Sequence, residues 1–431
     1  MEFFDKAELF SKEEIYDTQA IRLKNTVYQA TASRFYRGKL SMAGIKVSDI
    51  KSHEDVKKLP FTTKEDLREN YPDGLLTMPV DKMVRLHASS GTTGAATVIF
   101  HTQNDLNSWS DLVARCMHVS GVRPWDVFQN MSGYGLFTGG LGIHYGAERL
   151  GCLTIPAGAG NSKRQIKMLK DFKVTVAHII PSYALHLSSV FKDLNINPKS
   201  FHLRTMLIGA EPHSDEVRKR IEEIYGVKAY NSYGLSEMNG PGVAFECEHQ
   251  SGMHLWEDSY IAEIVDPETL EPVPEGEMGE LILTTLCRQG MPIIRYRTRD
   301  LTRFIPGQCP CGRQHRRIDR ITARSDDMIV LKGVNIYPMQ VEKVLMSIPE
   351  VGQNYIIELE RHGFLDQMRV KVEIRDEYFV EDMRILQALQ KKICGLLREE
   401  ILITARVDLV EHDSLPKNDG KAVRVVDKRN Q

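Results

Sequence analysis

Ser89, Ser90, Gly91, Thr92, Thr93 and Gly94 stand in one unbroken row, hydroxyls and glycines only, after an apolar run holding Met83, Val84 and Leu86. A loop without bulky Cβ substituents can fold its amides and hydroxyls around an anion. The row therefore points to the phosphates of a nucleoside triphosphate. It is not a P-loop: no Gly-Lys-Ser/Thr closes it, and that Lys is what reaches the outer phosphates. Taken alone, the segment also reads as a flexible linker.

Further carboxylates, aromatics and cations recur at the ends of apolar segments. Gly209-Ala210-Glu211-Pro212 ends one expected strand, and Tyr230 to Glu237 ends another. Tyr296-Arg297-Thr298-Arg299-Asp300 precedes an expected strand at Leu301–Phe304. Arg324 to Pro338 reads RSDDMIVLKGVNIYP, and Leu415 to Lys421 reads LPKNDGK. Each is common when taken singly. An Asp before a strand is usually a turn former, and a terminal Lys is usually solvated.

A second chemistry is carried by sulfur. Cys309-Pro310-Cys311-Gly312 is a C-x-C knuckle, and Cys247, His249 and His254 lie upstream. Two thiolates close in sequence with a distant Cys/His pair fit a closed tetrahedral Zn²⁺ site. The expected ligands are Cys247, His254, Cys309 and Cys311, with His249 as the alternative fourth, and the role is structural. Cys116, Cys152, Cys287 and Cys394 lie in apolar surroundings and read as core residues. His87, before the small-residue row, either orients it or packs. His144 and His178, in apolar segments, read as core histidines.

The elements that position these groups follow from patterning. The 431 residues exceed one hydrophobic core, so two or three domains are expected. A net charge of −2 argues against broad binding to nucleic acid or an anionic membrane. Met1 to Lys12 carries charges throughout, with no basic-then-apolar leader, and no apolar run is long enough to cross a bilayer. Seven scattered cysteines form no secreted disulfide framework, so a cytoplasmic setting is expected. Residues 12 to about 45 read as helical. Apolar segments at 127–130, 152–155, 176–180 and 206–208 alternate with helix-like stretches at 103–119, 163–171 and 213–225. That alternation predicts an α/β fold with parallel-type sheets covered by helices. From about 245 to 325 the pattern turns β-rich, which predicts a small subdomain. After the polar break at Arg324 to Asp327 comes an α+β unit: strand 328–331, helix 338–346, strands 353–359 and 368–374, helix 381–398 and strand 406–410. The polar tail from Ser414 reads as disordered but for its Gly-Lys pair.

The order of the motifs is more specific than any one of them. SSGTTG (89–94), GYGLFTGGLGIHYGAERLG (133–151), GAEP (209–212), YGLSE (233–237), GMHLWED (252–258), MPIIRYRTRDL (291–301), RSDDMIVLKGVNIYP (324–338) and GKAVRVVD (420–427) span nearly the whole chain. In that order the chain resembles the adenylate-forming superfamily of acyl-CoA synthetases, and within it the phenylacetate–CoA ligase family. The resemblance implies a large N-terminal domain over 1–325, binding ATP and the acid. It implies a small mobile C-terminal domain over 326–431, with its hinge at Asp326. It also implies a two-step reaction: a carboxylate attacks the α-phosphorus of ATP and releases pyrophosphate, then the thiol of CoA displaces AMP.

The same resemblance assigns roles. Ser89 to Gly94 would cradle the outer phosphates. Many relatives end this loop with Pro-Lys, whereas Ala95-Ala96-Thr97 follows here, as in phenylacetate ligases. Glu237 would hold Mg²⁺, a hard cation that takes oxygen ligands. Tyr233 would offer a face to adenine, with the backbone of Ala210, Glu211 and Pro212 beside it and Asn231 on its edge. Asp300 would accept the ribose hydroxyls, supported by Arg324. Lys421 would stabilise charge developing in adenylation, and Lys332 and Gly333 would line the CoA path. Tyr134, Gly135 and Phe137 are the expected contacts to an aryl acid: phenylacetate by resemblance, with hydroxyphenylacetates, indoleacetate and benzoate open. A homodimer is implied by resemblance only. Two other functions stay open: loading of the acyl group onto a carrier protein, and a non-catalytic nucleotide-binding regulator.

Overall fold

The computed structural model describes residues 3–89, 96–331, 334–362, 365–379, 382–416 and 423–429. Ser90 to Gly94, Lys332, Gly333 and Lys421 lie outside the described residues.

The expected helical stretch 12–45 is two helices, α1 (Lys12–Ala30) and α2 (Arg34–Met42). Ser33 ends the first path and caps the second, its hydroxyl accepting from the Tyr36 N–H. After α3 (Lys64–Glu69), strands β1 (Arg85–Ala88) and β2 (Val98–His101) pair antiparallel on either side of the small-residue row. Helix α4 (Gln103–Val119) starts at a Thr102/Asp105 capping box.

A nine-stranded sheet forms the floor of the molecule. Its parallel part alternates with helices: β3 (Val127–Asn130), α5 (Thr138–Leu150), β4 (Leu153–Ile155), α6 (Ser162–Asp171), β5 (Val176–Ile179), α7 (Pro181–Asp193), β6 (Thr205–Gly209), α8 (Asp215–Tyr225) and β7 (Lys228–Leu235). Strands β5 and β6 are buried along their length, as their unbroken apolar runs require when helices cover both faces. The sheet is mixed, not purely parallel. Beyond β7 it continues antiparallel through β8 (Gly240–Glu246) and β9 (Met253–Leu255).

A four-stranded antiparallel sheet holds β10 (Tyr260–Val265), β11 (Gly279–Thr285) and β12 (Tyr296–Thr302). Here the expectation about Tyr296–Asp300 is corrected: these residues do not precede a strand, they are the strand. Burial alternates strictly along β12, so its arginines face outward while Tyr296, Thr298 and Asp300 face in. The predicted strand 301–304 is split, because Thr302 closes β12 and β13 (Phe304–Ile305) belongs to the other sheet. With β14 (Arg317–Ile318), β13 extends the nine-stranded sheet from β9, while β15 (Ala323–Arg324) pairs with β12. The β-rich stretch 245–325 thus feeds two sheets, and one apolar core runs from α1 and α4 into β10–β12.

The remaining chain builds a hairpin, β16 (Ile329–Leu331) and β17 (Val334–Ile336), then α9 (Pro338–Met346). A sheet follows in the order β20-β19-β18-β21, from β18 (Val351–His362), β19 (Leu365–Ile374), β20 (Arg406–Val410) and β21 (Val425–Asp427), with α10 (Met383–Ile401) between β19 and β20. The tail expected to be disordered contains β21, which pairs parallel with β18.

Candidate active site

The site is assembled from hydrogen bonds between elements distant in sequence. At the base of the small-residue row, the Ser89 N–H donates to the Thr97 carbonyl at 3.0 Å, and the two hydroxyls bond to each other. One residue earlier, the Ala88 N–H donates to the Leu136 carbonyl at 3.0 Å. His87 Nδ1 lies 3.0 Å from that same carbonyl, so His87 is both buried and tied to the Tyr134–Phe137 segment.

From there the contacts run on to the carboxylates. The Thr138 hydroxyl lies 3.1 Å from Ser236 Oγ. Next to it, Glu237 occupies a 3₁₀ turn, Ser236–Met238, and is buried. Glu237 Oε1 accepts from the Tyr296 hydroxyl at 3.1 Å, and its carbonyl accepts from Arg288 Nη1 at 2.8 Å. Arg288 Nη2 donates to the Phe100 carbonyl at 3.1 Å, tying β2 to that turn. Four residues along β12 from Tyr296, Asp300 Oδ2 accepts from the Tyr233 hydroxyl at 2.6 Å. Arg324 Nη1 lies 3.5 Å from Asp300 Oδ1. Burial pushes the Asp300 carboxyl up to about 6, against the pull of Arg324 and the Tyr233 hydroxyl.

Asn231 lies two residues before Tyr233 on β7, its N–H donating to Glu246 Oε2 at 2.7 Å. Ala210 has φ 68°, which turns the chain away from the sheet after Gly209. Glu211 Oε1 accepts from the Ser182 N–H at 2.6 Å, at the start of α7. Asp326 holds the Arg324 guanidinium through both oxygens, at 2.8 and 3.0 Å. Glu211, Pro212, Arg324 and Asp326 line a cavity of about 440 Å³ that also touches α9, β18 and β21.

Tyr134 and Phe137 are partly exposed, and Gly135 has φ 137°. The Tyr134 hydroxyl accepts from Asn130 Nδ2 at 3.0 Å and lies 3.3 Å from His144 Nδ1. His144 Nε2 lies 3.1 Å from Glu148, so this histidine is polar-partnered rather than packed in a core. Further along α5, Gly142 and Gly146 leave no room for a side chain. A Cβ on Gly146 would lie 2.2 Å from Val113 Cγ1 and one on Gly142 2.4 Å from the Trp109 ring. They bring α5 close against α4. His178 is a core residue as expected: it bonds Ser132 Oγ at 2.7 Å, and burial holds its imidazole down at about 4.

Residues 38–287 match the AMP-binding enzyme family, and 333–429 match the AMP-binding enzyme C-terminal domain. The phenylacetate-coenzyme A ligase of Thermus thermophilus is 41% identical over 444 aligned positions, covering 100% of each chain. The chain belongs to the phenylacetate–coenzyme A ligase family. Among solved structures, it is similar to a 2-hydroxyisobutyryl-CoA ligase in the postadenylation state with an acyl-AMP, at TM-score 0.93 and 30% identity over 98% of this chain and 92% of that one. The same enzyme with 2-HIB-AMP and CoA in the thioesterification state matches at TM-score 0.72, again at 30% identity, over 99% and 92%.

Away from these contacts, the ligase carries its sulfur cluster. Cys247, His254, Cys309 and Cys311 are all buried, and one donor atom of each lies within 4.8 Å of the others. His249 is not among them, so the alternative fourth ligand drops out. Strand β9 places His254, and β14 and β9 pair to bring the knuckle beside it. Cys247 Sγ lies 3.6 Å from Cys309 Sγ, and Cys311 Sγ lies 3.2 Å from His254 Nε2. A tetrahedral ion with Zn–S bonds of about 2.3 Å sets sulfurs roughly 3.8 Å apart. Hydrogen bonding from Cys247 and His254 holds the Cys311 thiol far below its ordinary value, the thiolate form a metal takes. His254 Nδ1 is buried without a hydrogen-bond partner among the described residues. The donor set therefore fits Zn²⁺.

Two residues of the ligase site escaped the sequence reading of individual roles. Tyr296 opens the Tyr-Arg-Thr-Arg-Asp run and was available as its first inward-facing position. Arg288 carried no signal, because its two acceptors are carbonyls of residues 51 and 188 positions away.

Proposed function

We propose that the protein is an ATP-dependent aryl-acid–CoA ligase acting on phenylacetate, through an acyl-adenylate, with release of AMP and pyrophosphate. The observation that carries this reading is the end-to-end similarity to a phenylacetate-coenzyme A ligase. In the first step an oxygen of the acid's carboxylate bonds to the α-phosphorus, and the bond from that phosphorus to the bridging oxygen of pyrophosphate breaks. In the second, the CoA thiolate attacks the acyl carbon, and the acyl–oxygen bond breaks to release AMP.

Fixed donors and cations aimed at developing charge account for most of the acceleration in such a step. In this reading Ser89 to Gly94 hold the outer phosphates and Glu237 holds Mg²⁺, which offsets phosphate charge. Tyr296, donating to Glu237, orients that carboxylate. Asp300, presented by Tyr233 and Arg324, accepts the ribose hydroxyls. Ala210, Glu211, Pro212 and Asn231 frame the adenine, and Tyr233 backs it. Lys421 supplies the cation at the α-phosphate, and Lys332 and Gly333 border the pantetheine. Tyr134, Gly135 and Phe137 meet the ring of the acid. Residues 1–325 and 326–431 act as two domains turning at Asp326, one arrangement for each step. A structural Zn²⁺ on Cys247, His254, Cys309 and Cys311 pins the 305–315 loop. The setting is cytoplasmic and the assembly a homodimer.

Pyrophosphate release measured across a panel of aryl acids, with and without CoA, tests the reading. Phenylacetate-dependent release, with a CoA thioester formed when CoA is present, is expected. ATP binding without acid-dependent release overturns it, and an acyl group transferred to a carrier protein but not to CoA reassigns the acceptor.

A further inference from the structure

The C-terminal elements rest on the N-terminal ones through a small set of polar contacts centred on one buried carboxylate. Glu342, on α9, is only 8% exposed. Its Oε1 accepts from the backbone N–H of Ser214 at 3.0 Å, and its Oε2 accepts from the Tyr355 hydroxyl at 3.0 Å. Ser214 is the N-cap of α8, and its own hydroxyl accepts from the Val217 N–H. A carboxylate delivered from another part of the chain thus meets the positive end of an eleven-residue helix. Tyr355, on β18, is overlain by the Arg424 guanidinium at 4.4 Å from its ring centroid. Arg424 also donates to the Tyr355 carbonyl at 3.3 Å, just before β21.

Two further contacts flank this one. Arg220 of α8 donates to the carbonyls of Val351 and Gly352 at 3.1 and 3.3 Å. Gln353 Nε2 donates to Ser188 Oγ of α7 at 2.9 Å. Apolar contact joins the same surfaces: Leu185, Val217 and Ile221 share a cluster with Val341, Leu345 and Met346. The 440 Å³ cavity beside Glu342 leaves the rest of this boundary open. Burial pushes the Glu342 carboxyl up from its ordinary value. A buried carboxylate costs free energy unless hydrogen bonds and nearby positive charge, here Arg424, favour its charged form, and two of the donors come from different sides of the boundary. This arrangement matches a postadenylation-state relative at TM-score 0.93 and a thioesterification-state structure of it at 0.72.

We infer that Glu342 is a positioning residue for adenylation: by bridging the Ser214 N–H and the Tyr355 hydroxyl, it holds the C-terminal elements in the arrangement seen here, and this bridge must part for thioester formation. The inference rests on the two-step ligase reading above. Its novelty is the assignment of one side chain that weights the two steps differently. Glu342 borders the cavity that Glu211 and Arg324 also line but is assigned no contact with substrate, so its role is to hold the arrangement.

The test uses the full-length enzyme and measures each half-reaction separately. Acid-dependent pyrophosphate release reports adenylation, and thioester formation from preformed phenylacetyl-AMP and CoA reports the second step. Glu342→Gln keeps the volume but exchanges a two-oxygen acceptor for one oxygen and one donor group, and Tyr355→Phe removes a single hydroxyl. Both variants are expected to lower adenylation about 10-fold, the loss that follows from about 1.4 kcal/mol, while thioester formation is unchanged or faster. Glu342→Asp, which retains the charge, is expected to recover part of the loss. Equal losses in both half-reactions, or no loss in either, overturn the inference. Should Glu342→Gln fold poorly by its melting temperature, Tyr355→Phe carries the same comparison. A wild-type enzyme without acid-dependent pyrophosphate release would instead sink the ligase reading, before any variant is made.

Discussion

The proposed nucleotide half of the site and the sulfur cluster differ in how their buried polar groups are partnered. Along β7 and β12 the groups satisfy one another: Tyr296 donates to Glu237, and Tyr233 donates to Asp300. Around β9 and the knuckle, three sulfurs and His254 Nε2 converge within 4.8 Å of one another, a donor set that fits an ion. In the proposed reading the first set exchanges a ligand and the second keeps an ion.

Four substitutions test this contrast, from the largest expected effect down. Lys421→Ala is expected to lower acid-dependent pyrophosphate release by about 10²–10³-fold, the usual cost of removing a positioned charge. Transfer from preformed acyl-AMP to CoA is expected to stay nearly intact. Equal losses in the two half-reactions would remove Lys421 from its role.

Asp300→Asn is expected to raise the KM for ATP about 10- to 100-fold, through a charge-assisted hydrogen bond of roughly 1.5–3 kcal/mol. The pH dependence follows from its raised carboxyl. Without ligand the folded protein holds the proton on Asp300 up to about pH 6, whereas the unfolded chain loses it near the ordinary value of 3.8. Ribose hydroxyls are best accepted by the ionised form, so wild-type ATP affinity is expected to fall as pH drops through about 6, with protons released on binding near pH 5.5. The sign for stability is the reverse: Asp300 contributes stability below the unfolded value, and that contribution is lost as pH rises through about 6. Asp300→Asn is therefore expected to raise the melting temperature of the ligand-free protein at pH 7. A pH-independent ATP affinity between 5 and 7 in calorimetry would contradict the assignment.

Cys311→Ser is expected to abolish retention of one equivalent of zinc per chain and to lower the melting temperature by roughly 2 °C, on the order of 2 kcal/mol at this chain length. Its kcat at low temperature is expected to change little, because the cluster holds fold and not substrate. Absence of zinc from the purified wild-type protein by elemental analysis would end that half of the comparison. Tyr296→Phe is the mildest, expected to cost about 1 kcal/mol and to appear as a raised Mg²⁺ requirement. An unchanged Mg²⁺ titration would leave Glu237 without its orienting partner.

Much of this was legible in the chain. The helix expected at 338–346 and the strand at 406–410 have those bounds, because apolar periodicity and Pro338 at the first turn act locally. The four residues of the sulfur cluster were legible as a group because a metal site needs particular donor atoms, and the structure brings these four together. Less legible was β12: its alternation of arginines with Tyr296, Thr298 and Asp300 resembles a polar loop until the sheet buries every second residue. Nor did the sequence show that Gly142 and Gly146 form the contact surface of α5 with α4. Nothing in the sequence singled out Glu342, since a Glu on an amphipathic helix reads as solvated until another part of the chain covers it.

Residue types in order along the chain determined which chemistry is available: small hydroxyl residues for phosphates, carboxylates for a cation and a ribose, thiolates for a soft metal. These are properties of single side chains and short loops, and they survive without coordinates. Tertiary structure alone decided which of those groups meet. The Leu136 carbonyl fastens Ala88, just before the small-residue row, Arg288 ties β2 to Glu237, and Ser214 faces Glu342, each across separations that no local pattern encodes. The physical reason is that a buried polar group must find a partner wherever packing brings one, and packing is set by the whole core at once.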